Sequence, residues 1–153
     1  MKSSSLLRTG NSNPDFLDLI KLLDQDLNGR YGKLQKTYDQ FNKLIDVNAV
    51  VVAYSDDIPA GCGSFKKFNS ESVEIKRMFV KPEHRGTGIA KQIYDELEKW
   101  ALESGYKYTV LETGNKQVEA IRFYTKLGFS VIENFGQYIG METSVCMRKE
   151  ITG

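Results

Sequence analysis

The chain has 153 residues, 41% hydrophobic and 27% charged, with 21 Lys and Arg against 20 Asp and Glu for a net charge of +1. That length suits one ordinary domain able to bury roughly 68–70% of its unfolded surface, and the composition excludes extensive disorder, collagen-like repeats and fibrous architectures. The balanced charge gives no basic footprint for a nucleic-acid partner, and no apolar run approaches the ~20 residues of a membrane span.

In chain order, Ser5 to Arg8 reads as a short strand, and Asn13-Pro14 supplies a cap followed by proline at the first helical position. Phe16, Ile20, Leu23 and Leu27 then form an apolar stripe that the Asn28-Gly29 pair is expected to end. A second stripe, Leu34, Tyr38, Phe41 and Ile45, predicts another amphipathic helix across a Gly29–Gly32 elbow. From Ala49 the pattern turns β-branched, and two extended segments, 49–54 and 60–68, flank the turn signal Ser55 to Pro59. A turn at Asn69–Ser72 leads into a third strand, in which Val73, Ile75, Arg77 and Phe79 alternate with Glu74, Lys76, Met78 and Val80 until Pro82 stops it.

The strongest helical stripe follows near Gly88: Ile89, Ile93, Leu97, Trp100 and Ala101, with Gly105 at its end. Tyr106 to Glu112 is a strand, Ala120, Phe123, Tyr124 and Leu127 mark a short helix stopped at Gly128, and segments 129–133 and 143–149 are two late strands. An antiparallel meander followed by a strand–helix–strand crossover predicts an α+β fold, a single mixed, mostly antiparallel sheet flanked by helices. The whole of 1–153 is expected to form one domain, with loose ends at 1–4 and 152–153.

The residue inventory narrows the chemistry. Cys62 and Cys146 are far apart with no CxxC pair, and His84 is the only histidine, so no metal site is expected. A GxSxG elbow is absent and a histidine triad would have to use His84. Carboxylates, tyrosines and the backbone are left to act. No secretory leader pattern opens the sequence, so a cytoplasmic location is expected.

One stretch carries a specific signal. Arg85-Gly86-Thr87-Gly88-Ile89-Ala90 lies between a predicted strand and a predicted helix, where small residues admit a ligand close to the backbone and successive N–H groups form an anion-binding concavity. A Walker loop is absent, and the dinucleotide fingerprint would need glycine where Lys91 stands. On spacing alone, the two glycines equally serve a tight strand–helix connection.

Arg-x-x-Gly-x-Ala at 85–90, preceded by Met78-Phe79-Val80-Lys81-Pro82, resembles the acetyl-coenzyme A loop of the Gcn5-related N-acetyltransferase (GNAT) superfamily. Glu112-Thr113-Gly114, Ala120-Ile121 and Phe123 through Phe129 resemble the family's second cofactor region, so matching features span about 73–130. Gln117 stands where the family often has asparagine.

The resemblance implies an N-acetyltransferase that moves the acetyl group of acetyl-CoA to a primary amine by direct attack in a ternary complex, without a metal. It implies that Arg85, Gly86, Thr87, Gly88, Ile89 and Ala90 hold the diphosphate mainly through backbone amides. Met78 and Val80 would serve the pantetheine arm, and Gln117 and Tyr124 would lie at the cofactor. Glu74 is the implied general base, with Glu112 in reserve, although a strand glutamate also suits a solvated face. Tyr124 is implied beside the thioester sulfur as the acid that protonates the departing thiolate, although it also fits the apolar stripe of its helix. His84 reads as a loop residue rather than a base. Arg30, Tyr31, Tyr38 and Tyr138 are the candidates for the acceptor wall. Related folds often dimerise through exposed late strands, and a homodimer is an expectation of the same kind. The alternative function is a silent module that binds or senses acyl-CoA without turnover.

Overall fold

Asn13 acts as the cap its sequence position predicts: its Oδ1 accepts the Phe16 N–H at 3.0 Å, and its carbonyl accepts Leu17 N–H at 3.0 Å. Helix α1 (Pro14–Tyr31) starts there. It runs past the Asn28-Gly29 pair expected to end it, since one asparagine and one glycine in a helix together cost only about 1.5 kcal/mol against alanine. The computed structural model describes residues 4–31 and 49–152; the second predicted helix, Leu34 to Ile45, lies outside the described residues.

Seven strands are present among the described residues: β1 (Ser4–Thr9), β2 (Ala49–Ser55), β3 (Ile58–Lys67), β4 (Ser72–Val80), β5 (Tyr108–Gly114), β6 (Ser130–Ile132) and β7 (Ser144–Glu150). Their hydrogen-bonded order is β1-β2-β3-β4-β5-β7-β6. The β2–β3 hairpin turns on Asp56 and Asp57, both left-handed at φ 49° and 67°, the geometry a two-residue hairpin of matching twist requires. β4 pairs in parallel with β5 at Ser72–Tyr108, Val73–Thr109 and Glu74–Val110, after the crossover through helix α2 (Ile89–Glu103). β7 runs antiparallel to both β5 and β6. The mixed, mostly antiparallel sheet and its helices are the expected α+β architecture.

The described residues fall into two compact units, one drawn from Met1–Lys66 and Lys76–Trp100, the other from Lys67–Ile75 and Ala101–Gly153. In the first, Phe16, Leu19, Ile20 and Leu23 of α1 pack with Val50, Val52, Cys62 and Phe79. α2 meets β3 where the strand has no side chains to hold it off. A Cβ at Gly61 would stand 2.7 Å from the Phe79 carbonyl oxygen and 3.2 Å from Ile93 Cδ1. One at Gly63 would overlap Met78 Sδ and come within 2.8 Å of Ile93 Cγ2. Gly63→Ala is therefore expected to destabilise by about 2 kcal/mol through overpacking, read as a urea midpoint lower by about 1 M; an unchanged midpoint would show that the helix yields without cost.

In the same unit, burial pushes the Cys62 thiol up from 9.0 to about 12, and burial with the Asp15 carboxylate, which accepts the Tyr54 hydroxyl at 2.7 Å, pushes Tyr54 up from 10.0 to about 12. Both folded groups keep their protons where the unfolded chain has lost them. Their stabilisation is therefore complete below pH 9 and drains away as pH climbs towards 12. Urea midpoints are expected to hold up to about pH 9 and fall steadily beyond it; a level profile to pH 11 would contradict this.

The second unit buries Val110, Leu111, Tyr124, Phe129, Tyr138, Cys146 and Met147. Helix α3 (Val118–Leu127) ends as predicted at Gly128, left-handed at φ 107°, whose N–H reaches the Thr125 carbonyl at 3.1 Å.

Candidate active site

The loop after β4 begins with a single 3₁₀ turn, Pro82–His84, in which His84 N–H bonds the Lys81 carbonyl at 2.9 Å. His84 lies in this turn just ahead of the loop. The Arg85 guanidinium turns back onto the strand: Nε donates to the Val80 carbonyl at 2.8 Å, and the group stacks 5.7 Å from the centre of the Phe79 ring. Arg85 N–H is also engaged, at 3.3 Å to Pro82 O. The loop proper is thus left to Gly86, Thr87 and Gly88.

Gly86 and Gly88 are left-handed at φ 77° and 86°, and a Cβ built on either meets nothing within 4 Å. Their lack of a side chain leaves open space over the backbone. The first helical bond of α2 is Gln92 N–H to the Gly88 carbonyl at 3.1 Å. The amides of Ile89, Ala90 and Lys91 accordingly lie in the turn where a helix supplies no acceptor of its own. No acidic side chain sits in that first turn. Open amides, a dipole end and the absence of negative charge fit a diphosphate. Lys91 pairs with Asp95 at 2.7 Å on the exposed face, which holds its ammonium above the usual range. Next to the loop, a pocket of about 490 Å³ is lined by Leu22 and Gln25 of α1 together with Phe79, Lys81, Pro82, Arg85 and one carboxylate, Glu83 of the 3₁₀ turn.

Met78 and Val80 end β4 just after an irregularity that the sequence did not signal. Arg77 adopts φ 58°, rare for a long side chain, and its guanidinium bonds Asp24 of α1 at 2.6 Å. The even alternation predicted for β4 breaks there.

In the second unit, Glu74 is not on a solvated face; it is 2% exposed. The hydroxyl of Tyr138, itself 1% exposed, donates to Glu74 Oε2 at 3.5 Å. Tyr138 belongs to a 3₁₀ turn, Gly136–Tyr138, held by Asn134, whose side-chain amide donates to the carbonyls of Tyr138 at 3.1 Å and Met141 at 3.0 Å. Burial, then the charges of Glu74 and Glu112, push the Tyr138 phenol well above the ordinary tyrosine range. Glu112 of β5 lies across the ladder from Cys146 of β7, whose thiol burial also raises.

Tyr124 is buried in an aromatic run, 5.0 Å from the Phe123 ring and 5.4 Å from Phe129, and burial raises its phenol strongly. Gln117 immediately precedes α3, and its carbonyl accepts Ile121 N–H at 3.1 Å.

The structure thus brings Glu74, Glu112 and Tyr138 together in one unit and, in the other, runs a loop at Arg85 through Gly88 into the first turn of α2 at Ile89 and Ala90. Arg30 and Tyr31 fall at the end of α1, and Tyr38 is outside the described residues. Sequence reasoning missed Asn134, Asp24 and the bare strip at Gly61 and Gly63. Two glycines spaced i and i+2 in a strand were the available sign of the last. Among the described residues, no group of three or more His, Cys, Asp or Glu side chains is placed to hold a metal ion.

Comparison with known proteins identifies the class. Residues 16–129 match the acetyltransferase (GNAT) family. The chain belongs to that family, and it is an acyltransferase whose acyl donor is acetyl-CoA. It is 30% identical over 142 residues to an IAA acetyltransferase of Azospirillum brasilense, covering 88% of this chain and 92% of the relative. A Klebsiella pneumoniae protein assigned as an acyl-CoA N-acyltransferase shares 26% identity and superposes with a TM-score of 0.80 over 97% of both chains. A GNAT family acetyltransferase from Elizabethkingia anophelis, solved with acetyl-CoA bound, shares the fold at 21% identity and a TM-score of 0.73, covering 96% of this chain and 97% of that one.

Proposed function

We propose that this enzyme acetylates a primary amine by direct attack on acetyl-CoA in a ternary complex, residues 1–153 serving as one N-acetyltransferase domain in the cytoplasm. The observation that carries the reading is the loop Gly86–Gly88, whose open backbone runs into the unpaired first turn of α2. Its amides and those of Ile89 and Ala90 hold the diphosphate, and the backbone of Met78 and Val80 serves the pantetheine arm.

Glu74 takes a proton from the acceptor ammonium, directly or through water. The freed nitrogen forms a bond to the thioester carbonyl carbon, the carbon–sulfur bond breaks as the thiolate leaves, and the nitrogen's second proton passes through solvent to the thiolate, giving the neutral amide and the free thiol. Tyr124 hydrogen-bonds the departing sulfur. A buried phenol held above its ordinary range is a weaker acid than a thiol near 8.5, so Tyr124 stabilises the thiolate by donating a hydrogen bond rather than by giving up its proton outright. Tyr124→Phe is accordingly expected to lower kcat about tenfold, the worth of one charge-assisted hydrogen bond, with acetyl-CoA affinity held within about twofold; an unchanged kcat would leave Tyr124 a packing residue. Arg30, Tyr31 and Tyr38 select the acceptor, and their exchange changes amine preference while sparing cofactor affinity.

The reading is tested by thiol release across a panel of amines beside calorimetric titration with acetyl-CoA. Binding with turnover supports it. Binding without turnover on any amine favours the silent module, and no binding removes the loop assignment.

A further inference from the structure

Tyr138 is a costly way to fill a core. Burying a phenol without a partner for its hydroxyl is unfavourable, and phenylalanine would supply the same ring. Here the ring packs edge-on against Phe135 at 5.7 Å, and Phe135 is itself packed against Phe68 at 4.8 Å. The backbone is fixed by Tyr138 N–H to the Phe135 carbonyl at 2.9 Å and by the Asn134 amide. The hydroxyl is thereby delivered to Glu74 Oε2. The titratable groups that act on it come from three strands: Glu74 of β4, Glu112 of β5 and Cys146 of β7, with Gln137 of its own turn also bonded to it. Between two carboxylates the phenol stays protonated, so towards Glu74 it only donates.

We propose that Tyr138 is a positioning residue for acetyl transfer: its hydroxyl holds the Glu74 carboxylate through Oε2 and so fixes the reach of that carboxylate to the attacking amine. The inference rests on Glu74 acting as the base. The 3.5 Å contact is at the outer limit for such a bond, and contacts of this kind shorten when substrate closes the site. A glutamate turns about three side-chain bonds, and a base that is held rather than free keeps its reach to the amine.

The test is a double-mutant cycle with Tyr138→Phe, Glu74→Gln and the double variant, read in two ways. Urea unfolding without ligand reports the contact itself: the double variant's midpoint shift should be smaller than the sum of the single shifts. Turnover is followed by thiol release from acetyl-CoA with n-butylamine, benzylamine, spermidine and L-lysine. Tyr138→Phe should lower kcat about tenfold with the acetyl-CoA KM within twofold, and should have no further effect once Glu74→Gln is present. Additive midpoints overturn the contact, and additive losses in kcat overturn the positioning. Tyr138→Phe with unaltered kcat, beside an impaired Tyr138→Leu, reduces the residue to packing and overturns the proposal. If Glu74→Gln alone keeps full turnover, the base assignment fails and the proposal falls with it, whereas a crippled Glu74→Gln with additive Tyr138→Phe removes the positioning alone. No thiol release by the unsubstituted enzyme with any of the four amines overturns the transfer reading beneath both.

Discussion

Gly88→Glu is expected to abolish useful acetyl-CoA binding while leaving the far-ultraviolet circular dichroism of the folded protein unchanged. Two effects follow from one substitution, and they act on different equilibria. At φ 86° any L side chain is strained, a cost of about 1–2 kcal/mol that is paid with or without ligand and so lowers stability rather than affinity. The carboxylate, by contrast, meets the ligand. Nothing within 4 Å occupies the Cβ direction, so the side chain enters the space over the amides. At about 5 Å from a diphosphate charge and an effective dielectric of about 20, repulsion is about 3 kcal/mol, or more than a hundredfold in Kd. Gly88→Ala separates the two, because it carries the strain without the charge. Calorimetry on both variants decides: a glutamate variant that binds as well as the unsubstituted enzyme would mean that the diphosphate lies elsewhere.

Glu74→Gln should lower kcat by about 10²–10⁴-fold with acetyl-CoA affinity little altered, the usual worth of a positioned base. An amine with a lysine-like pKa near 10.4 is neutral in only about one part in 2,500 at pH 7, and only that form attacks. Glutamine keeps the size of the buried side chain but cannot accept the proton. The variant must then wait for solvent to deprotonate the amine, and its rate should climb about tenfold per pH unit on the way to the amine's own pKa. A loss of kcat without that steep pH dependence would indicate damage to the site rather than a missing base. Turnover within twofold of the unsubstituted enzyme would pass the role to Glu112 or to water.

Much of the fold is legible where one residue has one local job. Asn13-Pro14 opens α1, Asn69 orders the turn before β4 by accepting Glu71 and Ser72 N–H groups at 2.9 and 2.8 Å, and Gly128 closes α3. The open backbone at 85–90 is equally readable, since it follows from the absence of side chains at Gly86 and Gly88, which a sequence displays directly. Features that need distant partners are not readable in this way. Arg77 enters a left-handed conformation beside Asp24, 53 residues earlier. Tyr94, off the expected stripe of α2, is fully buried with its hydroxyl on Glu98 at 2.9 Å. In β4, Glu74 and Lys76 have the alternation of a solvated face, yet both are buried, because strand periodicity states only that two faces exist and not what covers each. In the sequence Tyr138 reads as a wall residue in a polar loop; the turn that folds it inward depends on Asn134, whose bonding no local pattern announces.

The bare strip on β3 has a consequence beyond stability. Gly61 and Gly63 set how near α2 can come to the strand, and the first turn of that same helix carries the amides proposed to hold the diphosphate. Two hydrogen atoms in place of methyls therefore act as a spacer gauge for the binding loop. A methyl at position 61 that the core managed to accommodate, by trimming Ile93 for example, would still be expected to reset the helix outward and weaken acetyl-CoA through residues that never touch it. On the proposed loop assignment, affinity is calibrated from behind, by the spacing between α2 and β3, and changes in cofactor preference among relatives are to be sought on β3 as well as in the loop.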